Sequence, residues 1–119
     1  MKKISITLSL GVTLLNGLFS GPIYATTLSE NEQKLCALYS SFAKEYMSSR
    51  QYGVPFGDVF DVIHSDNENS KRNDAFTELL IEAYETPLFS TEKMKEQAIT
   101  EFSNKHHVAC LKSLYEMKK

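Results

Sequence analysis

Basic residues are not in excess in this 119-residue chain. Its 13 Lys and Arg stand against 15 Asp and Glu, a formal net charge of -2. A nucleic-acid binder, or a protein held on an anionic membrane by charge, needs a surplus of cations, so both classes are disfavoured. No Gly-rich phosphate loop, H-E-x-x-H or G-x-S-x-G pattern occurs. Two cysteines and three histidines, widely scattered, are too few for a zinc site. No metal or cofactor is expected. Apolar and polar residues nowhere alternate at period two for long, which argues against a sheet. Internal repeats, Gly/Ser linkers and low-complexity runs are missing too. With 42% hydrophobic and 24% charged residues, the composition fits one globular domain and excludes collagen-like and disordered classes.

Only one long apolar run occurs, Ile4 to Phe19. It follows Met1-Lys2-Lys3 and precedes the helix breakers Ser20, Gly21 and Pro22. A basic start, an apolar middle and a small residue at the cut (Ala25) describe a secretory signal peptide. The run spans 16 residues and includes Ser5, Thr7, Ser9, Thr13 and Asn16. A membrane-spanning helix needs about 20 mostly apolar residues. The expected organisation is a signal peptide over 1–25 and a single helical domain over 26–119, with no transmembrane segment after cleavage. The protein is expected to be exported, with the periplasm of a Gram-negative cell ahead of the external medium. Removing residues 1–25 leaves 94 residues carrying 11 basic and 15 acidic side chains, a net charge of -4.

Cys36 and Cys110 stand near opposite ends of that domain. In an oxidising compartment an even pair reads as one disulfide, here joining the first helix to the last. Closing a loop of roughly 75 residues contributes up to about 4–4.5 kcal/mol in the chain-entropy model. A catalytic thiol pair is disfavoured, since the two are far apart and form no C-x-x-C motif.

Caps and period predict four helices. Ser29 and Glu32 form an S-x-x-E capping box after Leu28. Leu35, Leu38, Tyr39, Phe42, Ala43, Tyr46 and Met47 then recur at helical steps, with Cys36 bordering their face. Gly53 is the natural terminator. Pro55 suits a first turn, and Phe56, Val59, Phe60 and Ile63 give a short helix to about His64. Ser65 to Asn69 is polar and reads as a loop. Ser70 can cap a third helix with Phe76, Leu79, Leu80, Ala83 and Tyr84 inward and Glu78, Glu82 and Glu85 outward, ended by Thr86-Pro87. Ser90 or Thr91 caps a fourth, with Met94, Ala98, Phe102, His106, Ala109 and Cys110 on one side. Glu101 and Lys105 are expected to pair along its outer face. The fold class is all-α: a small irregular four-helix bundle, its second helix too short to span the others.

Candidate chemistry is sparse. His106 sits on the core face, where packing is the expected role, and His107 points to solvent. His64 follows Asp61 by three, so the two can touch. Without a nucleophile or metal they make a weak catalytic pair, and a helix C-terminal cap is the plainer role for His64. Asp58 and Asp61 on one short helix cannot flank a glycoside cleft. Asp66 to Ser70 faintly resembles a calcium loop but has Lys71 at its glycine position and Thr77 at its bidentate position, so calcium is rejected. Charge is the uneven feature. Asp58 to Glu85 holds eight acids and two bases, net -6, leaving +2 for the rest of the mature chain. That segment reads either as a solvated face or as a surface for a basic partner.

Three segments carry a resemblance: Met47–Gly53 (M-S-S-R-Q-Y-G), Ala83–Pro87 (A-Y-E-T-P) and Ala98–Cys110 (A-I-T-E-F-S-N-K-H-H-V-A-C). They cover about a quarter of the mature chain. They resemble a group of small exported proteobacterial or phage-encoded helical proteins of unknown function. The resemblance implies a Gram-negative envelope setting and a shared disulfide, and it implies no activity.

The expected function is therefore non-enzymatic: binding another protein, in the manner of an inhibitor or immunity protein, with a basic envelope or secreted protein as partner. Asp58, Asp61, Glu78 and Glu82 are the candidate contact residues. The alternatives are a small envelope enzyme using Asp61 and His64, and a structural envelope component that self-associates through Leu88 and Phe89.

Overall fold

The computed structural model describes residues 27–65 and 70–118, without the side chains of 70–73. The expected signal peptide, the loop over 66–69 and the Ser70 cap lie outside the described residues. Four helices follow: α1 (Glu30–Gln51), α2 (Phe56–His64), α3 (Ser70–Glu85) and α4 (Glu92–Met117). The described residues hold no strand.

Local chemistry sets the helix ends. Ser29 Oγ accepts from Glu32 N at 3.1 Å while Glu32 Oε1 accepts from Ser29 N at 2.9 Å, completing the capping box. α1 stops at Gly53, whose φ of 83° is open to glycine and costly for other residues. Val54 N donates to Ser49 O and Gly53 N to Arg50 O, which satisfies two orphan carbonyls. Pro55, with φ fixed at -60°, leads directly into α2. Thr91 rather than Ser90 caps α4, its hydroxyl accepting from Met94 N.

α1 and α4 form the longest contact of the fold. They run antiparallel: Cys36 meets Cys110, Ser40 meets Ser103, and the carbonyl of Gln51 meets Lys95. At about 1.5 Å per residue the 22-residue α1 and 26-residue α4 are about 33 and 39 Å long. α3 lies on this pair, parallel to α1, with Phe76 beside Tyr39 and Thr86 beside Arg50. α2 runs antiparallel along α3, from the Phe56–Tyr84 contact to His64–Thr77. Its nine residues, about 14 Å, bury no side chain fully.

One core joins α1, α3 and α4: Ala43, Tyr46, Met47, Leu79, Leu80, Ala83, Ile99 and Phe102. Burial lifts the Tyr46 phenol to about 12, with the neighbouring Tyr39 adding to it. The Cys36–Cys110 disulfide is formed, with a Cα–Cα distance of 5.5 Å. Cys36 is fully buried yet stands outside that core, toward the start of α1 and the end of α4. Leu35 and Leu38, expected on the buried stripe, are 56% and 51% exposed. Among the described residues no side chain covers them.

Candidate functional site

The four candidate contact residues fall into two environments. Asp58 and Asp61 are exposed on α2 and Glu78 is exposed on α3. Glu82 is not part of that free face. It reaches across to α4, where it forms a short ion pair with Lys105 and lies 3.0 Å from His106 Nε2. The expected Glu101–Lys105 pair is thereby replaced: Glu101 accepts instead from Gln97. An i,i+4 helix pair is worth only about 0.3–0.5 kcal/mol, so a better-placed carboxylate on a packed neighbour displaces it.

His106 packs as the helical phase implies. Its ring, 12% exposed, makes edge contacts with Phe102 at 4.5 Å and Tyr39 at 6.0 Å. Burial lowers its pKa, Glu82 pulls the other way, and Lys105 adds to the lowering; the balance lies below the ordinary 6.5. Its buried Nε2 has no aligned hydrogen bond, so the approach to Glu82 is a close electrostatic contact. Burial pushes the Glu82 carboxyl up, but Lys105 and His106 outweigh it and hold it below its ordinary 4.5. The three side chains clasp α3 to α4.

His64 is likewise occupied. Its Nδ1 is 2.9 Å from the Phe60 carbonyl, its Nε2 3.2 Å from the Thr77 hydroxyl, and its ring stacks on Phe60. With Nδ1 donating to the carbonyl within α2 and Nε2 accepting from Thr77 of α3, both nitrogens are engaged, and the second bond joins α2 to α3. The expected touch with Asp61 is absent from its hydrogen bonds and ion pairs. His107, expected in solvent, is half-buried and borders an open cleft with Leu28, Leu111 and Tyr115. Among the described residues no group of three or more His, Cys, Asp or Glu could hold a metal ion.

A polar clip passes unannounced in the sequence. Gln51 is 1% exposed; its amide donates to the Pro87 carbonyl at 2.9 Å and accepts from Phe89 N at 3.0 Å. Arg50 Nε donates to Thr86 O at 3.0 Å. Together they seat the α3–α4 connection on the end of α1. Phe89 is thus half-buried and tethered, while Leu88 is exposed. A glutamine one residue before Tyr52-Gly53 carries no burial signal, because its partners lie 36 and 38 positions away.

Charge compensation divides the surface. Lys34 pairs with Glu30, Lys105 with Glu82, and Lys118 with Glu32. Lys118 and the Ser29 cap hold the Glu32 carboxyl down to about 2. No described cation pairs with Asp58, Asp61, Asp74, Glu78 or Glu85. The acids of α1 and α4 have partners in several places, whereas those exposed on α2 and α3 have none among the described cations. Fold and surface together define a small all-α protein with a cross-helix disulfide and exposed acidic residues on α2 and α3. No protein-family profile, curated protein or solved structure matches the chain. No described helix is long and apolar enough to cross a membrane.

Proposed function

We propose that this is an exported protein that works by binding a basic protein, using the acidic face of α2 and α3. The observation that carries the reading is that Asp58, Asp61 and Glu78 are exposed, pair with no described cation, and belong to a segment of net charge -6. Unpaired carboxylates on one face attract a cationic partner over several ångströms and speed its encounter. Glu82 belongs to this reading as a positioning residue, since it fixes α3 on α4. A disulfide is compatible with an oxidising compartment outside the cytoplasm. The engaged state of both nitrogens of His64 counts against the Asp61–His64 enzyme, which needs one of them free for proton transfer.

The test uses two baits in parallel, wild type and the triple variant Asp58→Lys/Asp61→Lys/Glu78→Lys. Each is presented oxidised to envelope and periplasmic extracts and eluted with salt. A basic protein held by wild type and lost by the triple supports the reading. Association kinetics with that protein should slow as ionic strength rises, and the triple should flatten the dependence. Equal retention by both baits, or kinetics indifferent to salt, overturns it.

A further inference from the structure

The exposed Leu35 and Leu38 belong to a groove of about 400 Å³ that extends the core past its buried residues. Tyr39 of α1, Ala75 and Phe76 of α3, and Leu114 of α4 complete its apolar walls. The His106 ring and Cys110 of the disulfide border it as well, so its two long walls are covalently tied. The volume falls within the usual range for ligand pockets, about 300–1,000 Å³, and the shape is an open channel beside two antiparallel helices. Among the described residues no charged side chain lines it. The nearest described charges at its α3 edge are acidic. Glu82 and Glu78 both act on Tyr39 through space, and Asp74 directly precedes Ala75. Of these, Lys105 neutralises only Glu82.

We propose that this groove receives the apolar face of a cationic amphipathic helix supplied by the partner protein. The proposal rests on the acidic-face reading above and specifies what the partner presents. Leucine-sized side chains fill the channel, and Lys or Arg beside them reach Glu78 and Asp74, the arrangement by which amphipathic helices seat in grooves. Charge also selects against a second copy of this chain. A second copy presents to the groove a chain whose residues 26–119 carry a net charge of -4, and like charges repel.

The test takes protein made from the full chain and recovered oxidised. It is titrated with a synthetic Leu/Lys amphipathic peptide of about 18 residues, long enough to form a helix. A Leu/Glu peptide of the same pattern and an all-Lys peptide are the controls. The Leu/Lys peptide should bind most tightly and move the amide resonances of Leu35, Leu38, Phe76 and Leu114. Leu38→Asp should weaken it at least about tenfold, because burying a leucine is worth that much or more. Val62→Asp, at a 72% exposed site outside the groove, should leave it unchanged. Both positions are exposed, so melting curves of the variants should match wild type. If Leu38→Asp changes nothing, or the resonances move elsewhere, the groove proposal falls. The acidic-face reading then survives only where Asp58→Lys/Asp61→Lys still weakens the basic partner. If wild type sediments as a dimer that Leu38→Asp converts to monomer, a second copy fills the groove and the proposal is wrong.

Discussion

The side chain of Gln51 works in both directions at once. Its amide nitrogen and oxygen serve the carbonyl of Pro87 and the N–H of Phe89, two backbone groups of a connection that has no secondary structure to satisfy them. Gln51→Leu keeps most of the volume and leaves both groups without partners. The expected loss is about 2–4 kcal/mol in chemical denaturation, since each buried unsatisfied group costs about 1–3 kcal/mol. The second residue-scale prediction concerns acid. His106 is held below 6.5, so the unfolded chain takes up that proton more readily than the folded one. The stability linked to the neutral ring is full above pH 6.5 and is lost as pH falls from there through the folded value. Glu82 is held below 4.5, so its share is present above pH 4.5 and is lost as pH falls through its own folded value. Both act in the same sense. The melting temperature should drop on acidification from pH 7 to pH 4, and His106→Gln should remove the upper part of the slope. A melting temperature that rises over this range contradicts the α3–α4 clasp.

Among the elements, the helix ends and the short α2 carry separate expectations. Ser29→Ala removes the cap of α1 and should cost about 1 kcal/mol. Gly53→Ala places a side chain in left-handed backbone and should cost about 1–2 kcal/mol, although the space around it is open. Denaturant midpoints of the two variants, read at constant slope, check both figures. These positions were legible because capping boxes and glycine terminators act within five residues. The exposure of Leu35 and Leu38 was not legible. Helical period assigns a face to each residue but says nothing of how far neighbouring side chains cover that face. The same reason explains Glu82. Its phase on α3 puts it on the same stripe as Glu78 and Glu85, and only the approach of Lys105 and His106 on α4 engages it.

Over the whole molecule, core and disulfide divide the work. Residues from Ala43 to Met47, Leu79 to Ala83 and Ile99 to Phe102 hold three helices together, while Cys36–Cys110 ties α1 to α4 beyond that cluster. Reduction, or Cys36→Ser/Cys110→Ser, should lower stability by several kcal/mol, up to about 4 for a loop of this length. The loss should be uneven. Hydrogen exchange should quicken first near Glu30–Leu38 and Ala109–Met117, and last around Met47, Leu80 and Phe102. Uniform acceleration across all four helices contradicts this division. The groove proposed for a partner lies at the stapled end, so the same reduction should also weaken peptide binding there.

The sequence by itself determined the four helices, the capping box of α1, the helical fold class and the pairing of its two cysteines. Each of these follows from local chemistry or from a count that leaves one choice. The tertiary structure decided which charges are spent and which are free. It set Lys105 on Glu82, locked His64 against Thr77, buried Gln51 under the α3–α4 connection and left Leu35 and Leu38 facing an open groove. Those outcomes depend on how helices distant in the chain lie across one another. A short-range pattern of residues along one helix does not contain that geometry.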